Sequence, residues 1–206
     1  MSSVVSLMLA LLLQAGLEPP RLLQIAPLDH PLNIIGNSWV VTDLQITTDG
    51  KVPIVAVMQG LSPFREIVLT SVHRWGFAPA RLNEVPVDSR AMVIVLFRDR
   101  NMFSGVTPTF QQRPKNPMHH PPIPVRLTDP GYPANSIGEG AVILELLISP
   151  TGDVHNLRVI SDAPGLARST TAAVVSWEFI PAKRDGVAVP GIVIAAVSYL
   201  RPTLED

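Results

Sequence analysis

Apolar and polar residues alternate along Val40-Val41-Thr42-Asp43-Leu44-Gln45-Ile46, the period of two that marks a half-buried strand. Thr48-Asp49-Gly50-Lys51 follows as a hairpin turn, its Asp-Gly pair supplying the positive φ that tight turns require. A second strand is predicted from Val52 to Met58. The period then changes. Ser62-Pro63 suits a helix start, with Ser as N-cap and Pro at the first helical position. Phe64, Ile67, Val68, Ser71, Val72 and Trp75 recur at helical spacing and form one apolar stripe. Gly76 and Pro79 end the helix, and Ala91 to Phe97 makes a closing strand.

The same order returns later in the chain. Trp75-Gly76-Phe77-Ala78-Pro79-Ala80 aligns without a gap on Trp177-Glu178-Phe179-Ile180-Pro181-Ala182, because 177 − 75 = 102. Leu44, Ile46, Gly50, Val52 and Val57 fall on Leu146, Ile148, Gly152, Val154 and Val159. The second set predicts strands at Ala141–Ile148 and Val154–Ile160, a helix at Leu166–Trp177 and a strand at Gly191–Leu200. The reading is an α+β protein of two tandem modules at 36–99 and 129–202, each strand-strand-helix-strand with a helix on one face of an antiparallel sheet. A repeated framework without repeated reactive side chains points to binding. Trp75, Phe77, Pro79, Trp177, Phe179 and Pro181 are expected to be structural, the tryptophans ending their helices as core plugs.

Composition narrows the choices. Of 206 residues, 47% are hydrophobic and 16% charged, with a net charge of −1. That balance and the lack of a Lys/Arg stripe argue against nucleic acid. Cysteine is absent, so disulfides and thiolate chemistry are excluded. Val4 to Leu13 is apolar apart from Ser6, too short for a membrane span of about 20 residues but suited to a signal peptide over residues 1–15. The alternative is a short N-terminal helix docked on the first module. Residues 100–128 are rich in proline and read as a semi-rigid connector or as a clamp across a module.

The second module and its lead-in resemble the TonB C-terminal domain family. The residues that carry the resemblance are Pro130, Tyr132-Pro133-Ala134, Gly140-Ala141-Val142, Gly152-Asp153-Val154, Val159, Leu166, Ala173, Trp177-Glu178-Phe179, Pro181-Ala182, Gly186 and Val189. The resemblance implies a periplasmic protein whose sheet edge pairs with an extended segment of an envelope partner, such as an outer-membrane receptor. In strand addition of this kind, backbone groups give affinity and alternate side chains give selectivity. The first module has no Tyr-Pro lead-in. The expected partner-binding residues are therefore Tyr132, Pro133, Val193, Ala195, Val197 and Tyr199, the last four on a closing strand with a free edge.

Other chemistry finds little support. His119-His120, even with His155, lacks the spaced ligands of a metal centre. No nucleophile elbow, phosphate loop or zinc-protease motif occurs, so neither enzyme activity nor a cofactor is expected. The second face of the strand at 141–148 reads Ile143, Glu145, Leu147, more apolar than Val41, Asp43, Gln45 in the first module. It is expected to be covered by the other module or the connector, the alternative being an external partner. Two other readings are an energy transducer anchored by an uncleaved N-terminal segment, and a purely structural module that pairs with itself or forms a homodimer.

Overall fold

The computed structural model describes residues 16–28, 36–99, 114, 116–133, 136 and 138–200. The expected signal peptide, most of the connector before His119 and residues 201–202 lie outside them. In chain order the elements are β1 (Leu17–Glu18), β2 (Arg21–Gln24), β3 (Ser38–Ile46), β4 (Ile54–Gln59), α1 (Phe64–Val72), β5 (Gly76–Ala78), β6 (Ala80–Leu82), β7 (Val85–Val87) and β8 (Ser89–Asp99). The second half contains β9 (Ile123–Arg126), β10 (Gly140–Ile148), β11 (Val154–Ser161), α2 (Ala167–Val174), β12 (Glu178–Ile180), β13 (Ala182–Arg184), β14 (Val187–Val189) and β15 (Gly191–Leu200).

The offset of 102 reaches further than the sequence reading placed it. The bounds of β2, β3, β5, β6 and β7 recur in β9, β10, β12, β13 and β14 at that spacing. Residues 17–28, outside the 36–99 assigned to the first module, stand where the second half has its own lead-in. Arg21–Gln24 pairs with β5 as Ile123–Arg126 pairs with β12. The connector from His120 onward is likewise a clamp on the second half, with His120 bridging Lys183.

Both helices are shorter than expected. Pro63 occupies the N-cap position of α1 and no side chain caps either helix. Trp75 and Trp177 lie three residues beyond the helix ends, where tight turns join their N–H groups to the carbonyls of Val72 and Val174 at 3.0 and 3.1 Å. Each indole then reaches back to its lead-in. Trp75 Nε1 donates to the Ala26 carbonyl at 3.3 Å and Trp177 Nε1 to the Thr128 carbonyl at 2.9 Å. The hairpin glycines have a matching duty. A Cβ on Gly50 or Gly152 would lie 1.9 or 2.0 Å from the carbonyl oxygen of Phe77 or Phe179, so only glycine lets the turn meet β5 or β12.

Six strands form one sheet in the order β11-β10-β15-β8-β3-β4. Its centre is the parallel pair β8·β15, running from Met92↔Val193 to Asp99↔Leu200. Every other neighbour is antiparallel. Two parallel strands related by a rotation about their own direction present opposite faces. Accordingly α1 packs on one face with Val93, Val95, Ile194 and Ala196, and α2 packs on the other with Ile94, Leu96, Val193, Ala195 and Val197. The central strands are buried on both sides, hence their near-continuous apolar sequence.

Candidate functional site

The closing strand of the second half has no free edge. β15 bonds to β10 along one side and to β8 along the other, and Val193, Ala195, Val197 and Tyr199 are buried. This corrects the expected docking edge. Burying two apolar faces together outweighs leaving a ladder of N–H and C=O groups open. Tyr132 does meet Tyr199, with ring centroids 5.7 Å apart in a near-perpendicular arrangement. The Tyr199 hydroxyl lies 2.8 Å from Thr170 Oγ1, and burial raises its pKa above the usual 10.0. Tyr132 donates to the Gly138 carbonyl, while Pro133 accepts from the Ser136 N–H. These contacts make a packed junction inside the second half.

The expected cover over Ile143, Glu145 and Leu147 is internal. Ile143 joins the cluster of Leu22, Ala26 and Leu28, with Leu147 packed against it. Glu145 Oε2 accepts the Leu22 N–H at 2.6 Å, and Oε1 accepts Arg158 Nε at 3.1 Å. Arg158 in turn donates to the Leu22 carbonyl at 2.8 Å. The second half thus grips both backbone groups of one residue in the first lead-in. A reciprocal tie joins Arg98 of β8 to Asp129 at 3.2 Å, both buried. Glu145→Leu is expected to strand the buried Leu22 N–H and to lower unfolding free energy by about 1–3 kcal/mol. Faster exchange of the Leu22 amide should accompany the loss. An unchanged denaturation midpoint and amide would contradict the clamp.

Among the described residues, β4 and β11 stand at the two ends of the six-strand order. The two strands differ in chemistry. β11 carries His155 and Arg158 and has register irregularities at both ends of its pairing with β10, features that discourage strand addition. The lead-in residues Glu18 and Arg21 also line the 520 Å³ cleft beside it. By contrast, β4 reads Ile54-Val55-Ala56-Val57-Met58-Gln59, without a charge or proline, and Ile54 is 56% exposed. An uncharged outer strand of this kind is a ready template for pairing. Its potential was legible in the composition of 54–59, but its position was not.

The histidines do not converge. His120 is buried in its bridge to Lys183, His155 is exposed on β11, and His119 lies at a cleft near Arg90. Burial, then the Arg184 and Arg90 charges, holds the His119 imidazole below its usual pKa, with Asp185 opposing. Among the described residues, no group of three or more His, Cys, Asp or Glu could hold a metal ion. No helix among them is long and apolar enough to cross a membrane.

The described residues thus form an α+β fold whose mixed six-stranded sheet runs from β11 to β4. Residues 130–200, about a third of the chain, match the family described as Gram-negative bacterial TonB protein C-terminal. No curated protein matches the chain.

Proposed function

We propose that this is a non-enzymatic envelope protein made of two tandem TonB-C-like copies, which captures an extended segment of an envelope partner along the outer edge of β4. The carrying observation is that β4, without a charge or proline, ends the strand order among the described residues, in a chain whose second half matches the TonB C-terminal family. The 102-residue recurrence of the elements supports the tandem reading. Export to the periplasm, through residues 1–15, and an outer-membrane receptor as the partner belong to the same proposal. So does a role in outer-membrane transport.

Proline substitution tests the edge. Consecutive N–H groups on a strand point to opposite sides, so Ala56→Pro and Val57→Pro each remove a different one. One faces β3 and supports the fold; the other faces outward. The variant that stays folded is expected to lose capture of the envelope partner that the wild type retains. Equal capture by that folded variant would overturn the edge.

The parallel seam favours a second reading, a structural module in which each copy seals the other's closing strand. In that case capture fails with the wild type as well, and sedimentation shows a self-contained monomer or a homodimer. The anchored transducer requires residues 1–15 to be retained, and the mass of the exported protein decides it.

A further inference from the structure

Between the first lead-in and β11, at the other end of the sheet from β4, lies a cleft of about 520 Å³. Leu147, Ile192, Pro19 and Pro20 give it apolar surface. Two charged pairs also line it, and they differ. Glu145 and Arg158 are saturated: the carboxylate accepts the Leu22 N–H and Arg158 Nε, while Arg158 donates to the Leu22 carbonyl. Glu18 and Arg21 are exposed, and neither side chain makes a hydrogen bond or ion pair among the described residues. The lead-in does not need their charges. Residues 18–21 stand 102 positions before His120-Pro121-Pro122-Ile123, where the proline pair recurs between two buried residues of other chemistry.

The proline pair fixes how Glu18 and Arg21 are presented. Proline holds φ near about −65°, and an extended polyproline stretch turns once every three residues, rising about 3.1 Å per residue. Positions 18 and 21 therefore emerge on one side of the lead-in, about 9 Å apart. A carboxylate and a guanidinium held this way beside apolar surface complement a ligand with an ammonium at one end and a carboxylate at the other. An extended peptide covers at most about 3.3–3.6 Å per residue, so two or three residues match the span. We infer that this cleft binds a peptide of two or three residues through its free termini, the ammonium on Glu18 and the carboxylate on Arg21. The planar fork of arginine suits a carboxylate bidentately. Asn156 adds a donor for the peptide backbone, because its Oδ1 accepts the Leu157 N–H at 2.8 Å and its NH2 is left uncommitted. The volume falls within the range of about 300–1,000 Å³ usual for small-ligand sites. The cleft shares no residue with β4, so this site does not depend on the edge reading above.

The test uses the full chain and the tripeptide Ala-Val-Ala in four forms: both ends free, N-acetylated, C-amidated, and blocked at both ends. Backbone amide shifts of Arg21, Leu147, Asn156 and Ile192 report binding in the cleft, and titration gives affinity. Each blocked end is expected to weaken binding about tenfold, the scale of one hydrogen bond to a charged group. Arg21→Gln should erase the difference between the free and amidated forms and keep that between the free and acetylated ones. Glu18→Gln should do the reverse. Neither substitution removes a side-chain bond among the described residues, so the thermal transition should stay where it is. If all four forms shift these amides equally, or if none does, the site is overturned. It is equally overturned if both variants keep both preferences.

Discussion

Ala195→Pro is expected to prevent the full chain from reaching its folded state. Ala195 sits mid-strand in β15, opposite Leu144 of β10 and Ile94 of β8. Whichever side its N–H faces, a strand is waiting there. Proline removes that donor and leaves a buried carbonyl unpaired, at about 1–3 kcal/mol, and its ring adds a clash inside the ladder. The residue is also fully buried, so the backbone cannot swing out to relieve it. A domain with 5–15 kcal/mol of total stability tolerates little of this at its central seam. Insoluble expression, or loss of the cooperative thermal transition, is the expected result. A soluble variant with an unchanged melting temperature would mean that β15 is not sealed by β8.

The same strand shows where sequence reasoning stopped. Ile192 to Val197 is an unbroken apolar run, as is Ala91 to Phe97. Such runs need cover on both faces, and strands covered on both faces sit at the middle of a sheet. Alternation in Val40–Ile46 led correctly to a strand, although β3 between β8 and β4 is buried more fully than the half-buried pattern implies. The missing signal at 192–197 was that same alternation, and its absence argued against a docking edge.

The 102-residue recurrence of elements was legible because hairpin glycines, tryptophans and prolines keep their spacing in both halves. Its lead-ins were harder to see. Arg21–Gln24 and Ile123–Arg126 share no side-chain pattern, because a lead-in is held mainly through its backbone by β5 or β12 and by a tryptophan indole. The Pro19-Pro20 and Pro121-Pro122 pairs were the available clue. Glu145 was noticed only as an interruption in an apolar face. Nothing in a linear sequence joins it to Leu22, 123 residues away.

Trp177→Ala should cost about 3–5 kcal/mol, the range for deleting a large buried aromatic side chain. Trp177 is 2% exposed and lies against Trp39 and Phe179, with centroids 6.2 and 6.4 Å away. Trp39 comes from the first half, so the cavity would open across the junction of the two halves. The indole also fastens the Thr128 carbonyl, and with it the lead-in that carries Asp129 to Arg98. Trp177→Phe keeps most of the ring and loses the N–H. It should therefore cost less, by a margin that isolates the anchor from the packing. Denaturant unfolding followed by circular dichroism gives both values. Emission from Trp39 should shift in the Trp177→Ala variant, because its neighbouring ring is gone. Trp75→Ala provides the comparison on the opposite face, where the Ala26 carbonyl would lose the indole bond. Because β8 and β15 contribute to both cores, each substitution should move a single shared transition. Two separate transitions would mean that the halves unfold independently, and the central seam would then contribute little to holding them together.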